Sequence, residues 1–117
     1  MSESKKYFNI MKQHCDIISE RIMHLSFEDW SHDGILRDAV CMRLFALAEC
    51  VKKCTKERPA LYEEFPNIPW DRIVRFRDRV SHHYEGIDFD VVWEILKSDF
   101  QPLHDVINSL ADEKARK

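Results

Sequence analysis

Apolar residues recur every three or four positions through most of the chain, which is the spacing of one helix face. The first series runs from about Tyr7 to Leu25 and has no internal helix breaker. Its apolar positions are Ile10, Met11, Cys15, Ile18, Ile22 and Leu25. The pattern therefore predicts a first helix over this range.

The segment after this helix carries two signals for the start of a helix. Ser26 and Asp29 have the spacing of a capping box, with Asp in the acidic role. This predicts a short helical turn that carries Trp30 to the core. Asp33 is a suitable N-cap for the next helix, which we expect to run to about Lys53.

The helix predicted after Asp33 is apolar on two sides. One stripe is Leu36, Val40, Leu44, Leu47 and Val51, and the other is Ile35, Ala39, Met42, Ala46 and Cys50. A helix of this kind is central in its domain, or it packs against another subunit as well. Glu49 lies beside the second stripe, where a carboxylate needs a partner, and we expect an Arg. An internal ion pair that fixes helix register explains Glu49 at least as well as a catalytic role does.

Prolines divide the second half of the chain. A short helical piece is predicted from Ala60 to Phe65, and Pro69 suits the first turn of a new helix. The apolar stripe of that helix is Ile73, Phe76 and Val80, with Tyr84 next in the series. Gly86 is a natural terminator of the helix.

The last long helix can be capped by Asp88, and Pro102 should kink or restart it. Its expected inward positions are Val91, Val92, Trp93, Ile95 and Leu96, followed by Leu103, Val106, Ile107 and Leu110. No sheet pattern, repeat or linker interrupts this series of helices.

Composition agrees with a helical protein. The chain has 117 residues, 44% of them hydrophobic and 33% charged, which suits one domain with one core. Its two glycines leave few positions for the tight turns of a sheet. We therefore predict an all-α fold, a single domain over 1–117, built as a compact, dimerising bundle of about four to five helices. Residues 112–117 are expected to form a frayed tail.

Cysteine and hydropathy patterns restrict the class of protein further. No run approaches the ~20 apolar residues of a membrane span, and no apolar segment follows the N-terminal lysines, which predicts a cytoplasmic protein. Cys15, Cys41, Cys50 and Cys54 lie in apolar helical patterns, which predicts buried free thiols. Three of them could in principle hold a metal, but no fourth ligand has matching spacing. We predict neither a metal nor a cofactor.

The segment from Arg77 to Tyr84 concentrates the candidate chemistry. Arg77 precedes His82 by five positions, and Tyr84 follows two positions later. A guanidinium can hold a phosphoryl oxygen and an imidazole can move a proton to or from a ribose hydroxyl, so this set suits phosphate chemistry. Five residues turn an ideal helix by about 140°, so Arg77 and His82 do not share a face. A two-fold dimer could bring two such pairs into one groove.

Neighbouring residues have both functional and ordinary interpretations. Arg77 falls on the apolar face of its helix, so we expect it to be partly packed and held. Asp78, one turn before His82, could orient or charge-stabilise it, although a surface Asp–His pair is the commoner meaning of this spacing. His83 is a supporting candidate or a solvated neighbour, and Tyr84 is also suited to closing the helix end as a core aromatic.

The net charge of −3 argues against a general nucleic-acid coat, so any RNA contact must be local. Between positions 71 and 83 the arginines outnumber the aspartates by four to two. The RNA-binding candidates are Arg72, Arg75 and Arg79. The alternative is an amphipathic helix with a solvated basic face.

The order of several motifs is more specific than any one of them. The series is Ser26-Phe27-Glu28-Asp29, Arg37-Asp38-Ala39-Val40, Glu49, Ile68-Pro69-Trp70, Arg77 to Tyr84, and Trp93. It resembles the HepT-type proteins of the HEPN superfamily, the ribonuclease toxins of HepT/MntA toxin–antitoxin pairs, over roughly Tyr7 to Leu110. The family motif is Arg, four residues, His, one residue, Tyr, and Arg77, His82 and Tyr84 match it.

The resemblance implies an all-helical bundle that dimerises with the motif at a shared cleft and cleaves RNA without a metal. Arg77 and His82 would then be catalytic. It also implies a cognate MntA-like nucleotidyltransferase antitoxin that transfers AMP to Tyr84, where bulk and negative charge would fill the cleft and repel RNA. The family commonly has Asn after the motif Arg, whereas this chain has Asp78, whose charge beside a phosphate could lower activity or alter substrate choice.

A second class of function is a helical dimer that binds a nucleotidyltransferase partner or a nucleotide without turnover. The acidic net charge and Asp78 favour it. A third class, a metal-dependent helical-bundle oxidase, is disfavoured because no paired Glu-x-x-His motif occurs.

Overall fold

The computed structural model describes the backbone of residues 3–83 and 86–113 and the side chains of residues 6–80 and 86–112. These residues form helices and no strand, so the predicted all-α fold is confirmed. The helices are α1 (Glu3–Ile22), α2 (Phe27–His32), α3 (Gly34–Glu57), α4 (Leu61–Glu64), α5 (Trp70–His83), α6 (Phe89–Glu94) and α7 (Phe100–Glu113), with a π-helical turn at Ile95–Asp99 between the last two.

Side-chain caps fix the starts of α2 and α3 as predicted. Asp29 N–H donates to Ser26 Oγ at 3.0 Å, and Ser26 N–H donates back to the Asp29 carboxylate at 3.1 Å. Asp33 accepts from Leu36 N–H at 3.0 Å. The far end of α3 lies beyond the predicted Lys53 because no breaker precedes Pro59.

The centre of the bundle is α3, which packs against α1 and α5, while α7 packs on α1. The first stripe of α3 is buried at Val40, Leu44, Leu47 and Val51. The second stripe is open, since Ile35 is 86% exposed and Met42 64%. One copy of the chain therefore covers only one of the two apolar faces that the sequence pattern indicated.

Trp30 ties the short helix α2 to the rest of the fold. Its ring is fully buried, its Nε1 donates to the carbonyl oxygen of Phe89 at 2.9 Å, and its centroid lies 5.6 Å from that of Trp93. Arg37 donates to the carbonyl oxygens of Trp30 and Ser31 at 2.9 and 2.5 Å. These contacts hold a six-residue helix that could not persist alone.

The C-terminal helices begin and break as predicted, with one exception. Asp88 accepts from the N–H groups of Asp90 and Val91, at 2.9 and 3.4 Å. Val91 was expected to face inward, but that prediction is wrong: it is 44% exposed, because the inward positions of this turn are Val92 and Leu96, one helical turn apart. The π-helical turn precedes Pro102, which lies in the first turn of α7, where its missing N–H is tolerated.

The remaining boundaries agree in outline with the prediction. α5 begins directly after Pro69, whose carbonyl oxygen accepts from Ile73 N–H at 3.2 Å. α7 includes positions 112 and 113 of the predicted tail, and 114–117 lie outside the described residues. Within the described ranges, every helix is too short or too polar to cross a membrane.

Candidate functional site

Glu49 of α3 and Arg77 of α5 form an ion pair that joins two neighbouring helices. Arg77 Nε and Nη2 donate to the two carboxylate oxygens of Glu49, at 2.5 and 3.3 Å. The two side chains are only 32% and 23% exposed, Glu49 and Arg77 respectively. The predicted Arg partner of Glu49 is therefore confirmed, and it is the motif arginine, which is held as expected.

Asp78 and Lys52 extend this pair into a cluster. Arg77 Nη1 donates to Asp78 Oδ1 at 3.1 Å, and Lys52 Nζ donates to the same oxygen at 3.0 Å. Lys52 was missed by the sequence analysis, although it follows Glu49 by three residues and so shares its helix face. We call Lys52, Glu49, Arg77 and Asp78 the Arg77 cluster.

The contacts of the Arg77 cluster leave part of the guanidinium available. Arg77 has five N–H donors, and the described carboxylates engage three of them. The remaining two have no carboxylate partner among the residues described. A phosphate oxygen could therefore bind Arg77 without displacing Glu49 or Asp78.

Hydrogen bonds within the cluster favour the ionised forms of Glu49, Asp78 and Arg77. The hydrogen bond from Arg77 lowers the pKa of Glu49, and hydrogen bonds from Lys52 and then Arg77 lower the pKa of Asp78. The bond to Glu49 is also the main cause that raises the pKa of Arg77. The formal charges of the two cations and the two carboxylates sum to zero. The cluster therefore positions a guanidinium without having a net positive charge.

The rest of the motif is described only in part. The backbone of His82 and His83 forms the last turn of α5, but their side chains lie outside the described residues. Tyr84 lies outside them altogether, as does the predicted contact of Asp78 with His82. The described part of the site is therefore the arginine half of the motif.

The three RNA-binding candidates lie together on another side of α5. Arg72, Arg75 and Arg79 line a groove of about 350 Å³ with Phe76, Val91, Glu94 and Ile95. We call it the α5–α6 groove. On an ideal helix, Arg79 is about 160° from Arg77, so the groove and the Arg77 cluster use opposite faces of α5.

The open face of α3 leads directly to the Arg77 cluster. Ile35, Ala39 and Met42 are exposed on this face. Glu49 follows Met42 by seven residues, which is two helical turns, so the two share a face. Anything that covered Met42 would approach the Glu49–Arg77 pair.

The cysteines do not form a metal site. Burial raises the pKa of Cys15, Cys41 and Cys54 to about 12, which keeps these thiols protonated at neutral pH. Cys50 is half-buried, and all four are free, as predicted. Over the described residues, no three His, Cys, Asp or Glu side chains are grouped so that they could hold a metal ion.

Comparison with known proteins shows which family this chain resembles. The family model described as Ribonuclease HepT-like matches residues 11–110. A protein named as a candidate RNase in Caldanaerobacter subterraneus subsp. tengcongensis is 27% identical over 114 residues, 97% of this chain and 99% of its own length. A protein named "Probable ribonuclease HepT" in Thermococcus cleftensis is 30% identical over 99 residues, covering 85% of this chain and 87% of its own.

A further candidate RNase, from Methanocaldococcus jannaschii, is 26% identical over 110 residues, 91% of this chain and 88% of its own. No solved structure matches the chain significantly. The family match spans both the Arg77 cluster and the groove, and it confirms the resemblance seen in the motifs. The chain therefore belongs to the HepT-like ribonuclease family, and ribonuclease is the activity that this membership assigns to it.

Proposed function

We propose that this protein is a metal-independent endoribonuclease toxin of a toxin–antitoxin pair, and that Arg77 and His82 act at a cleft shared by two copies. The observation that carries the proposal is the guanidinium of Arg77, fixed by Glu49 and Asp78, with two donors that have no carboxylate partner in the described part of the chain. It belongs to the Arg-x4-His-x-Tyr motif of a ribonuclease family. Such an arginine is ready to hold a phosphate before the reaction begins.

The chemistry needs only proton transfer and charge stabilisation. His82 of one copy takes the proton of a ribose 2′-hydroxyl, whose oxygen forms a bond to phosphorus. The bond from phosphorus to the 5′-oxygen breaks, water supplies the proton to that leaving oxygen, and His82 returns its own proton to solvent. Arg77 of the second copy stabilises the extra negative charge of the phosphorane. The products are a 2′,3′-cyclic phosphate and a free 5′-hydroxyl.

The second copy is supported by the open face of α3. Ile35 and Met42 are large apolar side chains left 86% and 64% exposed. A two-fold dimer through this face would bury them against their own counterparts. Because Glu49 lies on the same face, the dimer would also bring two Arg77 clusters towards one cleft. Met42→Glu should therefore convert a dimer into monomers in analytical ultracentrifugation.

The proposed control acts on Tyr84, the last residue of the motif. A nucleotidyltransferase antitoxin would transfer AMP from ATP to the phenolic oxygen of Tyr84, with pyrophosphate as the leaving group. The added phosphate would repel RNA from the cleft. Intact mass after co-expression with a cognate nucleotidyltransferase should rise by whole AMP units. An unchanged mass, or an equal rise in Tyr84→Phe, contradicts this part of the proposal.

RNA cleavage by the purified protein is the primary test. The protein should cut RNA in the presence of a metal chelator, and His82→Ala should lose roughly a hundred- to ten-thousandfold in rate. His24→Ala, at an exposed position on another segment, is the matched control and should keep full activity. Full activity in His82→Ala would remove His82 from the mechanism.

The second candidate is a non-catalytic dimer that binds a nucleotidyltransferase or a nucleotide. The cancelled charges of the Arg77 cluster and the net charge of −3 favour it, because neither attracts RNA. Binding of such a partner with no RNA cleavage between pH 5 and 9 would support this candidate. Cleavage that is lost in His82→Ala would exclude it.

A further inference from the structure

Two of the three arginines in the α5–α6 groove have no acidic partner in the described part of the chain. Within the described residues, Arg75 and Arg79 form no ion pair, whereas Arg72 donates to Asp99 at 2.8 Å and Arg58 to Glu64 at 2.9 Å. Arg75 and Arg79 lie four residues apart on one exposed helix face, where like charges repel. Such a pair is unfavourable in the free protein and becomes favourable when an anion binds between them.

The groove also has an apolar side. Phe76 is half-buried there, Val91 is 44% exposed, and Ile95 completes the surface. Val91, which was expected in the core, is therefore part of the apolar side of this groove. Single-stranded nucleic acid binds to surfaces where cations lie beside a partly exposed aromatic ring and aliphatic side chains, because its bases pack on the apolar groups while its phosphates meet arginine.

The groove continues along α5 towards the proposed catalytic histidine. Position 82 follows Arg75 by seven residues, two helical turns, so it repeats the register of Arg75 on the helix. A strand that followed this face from Arg75 past Arg79 would reach the last turn of α5. The groove is therefore placed to guide a strand to position 82, while Arg77 approaches from the opposite face.

We propose that the α5–α6 groove binds the single-stranded RNA that flanks the cleaved linkage, with Arg75 and Arg79 on its phosphates and Phe76 against a base. This rests on the proposed ribonuclease function and adds its substrate class. Duplex RNA is a poor fit, because its bases are stacked inside and it is recognised across a broad, shallow minor groove. Glu94, which lines the same groove, should weaken binding through its charge.

Equilibrium binding separates this inference from catalysis. Fluorescence anisotropy with a labelled 12-nucleotide single-stranded RNA is measured on the His82→Ala protein, so that cleavage is too slow to alter the RNA during the measurement. Adding Arg75→Gln or Arg79→Gln should weaken binding roughly five- to tenfold each and reduce the salt dependence by about one ion per substitution. Glu94→Gln should strengthen binding, which a folding defect could not do.

Arg21→Gln is the matched control, since Arg21 is also exposed and without an ion pair among the described residues but lies at the end of α1. It should leave binding unchanged. The inference is overturned if the Arg75 and Arg79 variants bind as the Arg21 variant does, or if a duplex of the same length binds as tightly. RNA cleavage with no effect of the groove variants on binding would remove the groove and leave the proposed function. If binding depends on the groove but the unsubstituted protein does not cleave RNA, the groove is supported and the proposed function is contradicted.

Discussion

Glu49 of α3 accepts hydrogen bonds from two nitrogens of Arg77 of α5, and this pair sets the direction of the motif guanidinium. Both side chains are mostly covered, so the pair is less screened than a surface salt bridge. Asp78 holds a third nitrogen. The geometry makes Glu49 a positioning residue, which acts on substrate only through Arg77.

Glu49→Gln should lower kcat for RNA cleavage by about ten- to a hundredfold, because a displaced guanidinium no longer meets the phosphorane. Gln keeps the size of the side chain but loses the charge and one of the two acceptors. KM should change much less than kcat. The control is Glu57→Gln, an exposed carboxylate on the same helix, and an equal loss in both variants would contradict the positioning role.

Asp78→Asn should improve RNA binding. The substitution removes a negative charge beside the expected phosphate position and releases Lys52, which now bonds to Asp78 at 3.0 Å. We expect KM to fall severalfold at low salt, with the difference shrinking as salt screens the charges. An unchanged or higher KM would show that Asp78 does not face the substrate.

The caps of this fold could be predicted from sequence because they depend on residues three positions apart. The contacts of Ser26 with Asp29, Asp33 with Leu36 and Asp88 with Val91 are of this kind. The Lys52–Asp78 contact joins residues 26 positions apart, and no periodic pattern specifies it. The partner of Glu49 could be predicted as an arginine, since a half-covered carboxylate needs a cation, but the choice of Arg77 came only from the packing of α3 on α5.

Apolar periodicity was a weaker guide to burial than to helicity. It identified both stripes of α3, yet Ile35 and Met42 are exposed and Val51 is buried. Apolar spacing indicates which face of a helix is apolar. It does not show whether a neighbouring helix or a second copy of the chain would cover that face. Val91 is a second example. It was expected in the core from its place in the apolar series, but it lines a groove.

The pH dependence of cleavage between pH 5 and 9 should reflect histidine and not the carboxylates. The pKa values of Glu49 and Asp78 lie below their ordinary 4.5 and 3.8 because of their bonds to Arg77 and Lys52. Each of these ionised carboxylates stabilises the folded state. This stabilisation is fully present above the ordinary pKa of the carboxyl group and is lost as the pH falls through its lowered pKa. Both groups therefore stay ionised over this range. The pH–rate profile of Glu49→Gln should keep the wild-type shape at a lower height, and a shifted acid limb would contradict this.

Trp30→Ala should destabilise the fold by about 3–5 kcal/mol in urea unfolding, since a fully buried indole and its hydrogen bond to Phe89 are lost. Trp30 joins α2 to α6, so the loss should appear in the global transition. Met23→Ala, at a position that is 62% exposed, should change stability by less than about 0.5 kcal/mol. Similar effects of the two substitutions would argue against the packing described around Trp30.

The shared cleft is tested most directly by a mixed dimer of two inactive chains. Arg77→Gln and His82→Ala are co-expressed with different affinity tags, and the dimer that carries both tags is purified. If Arg77 of one copy works with His82 of the other, one such pair remains intact, and the mixed dimer should recover about half of the wild-type cleavage rate. A mixed dimer as inactive as either parent would contradict the cleft formed by two copies.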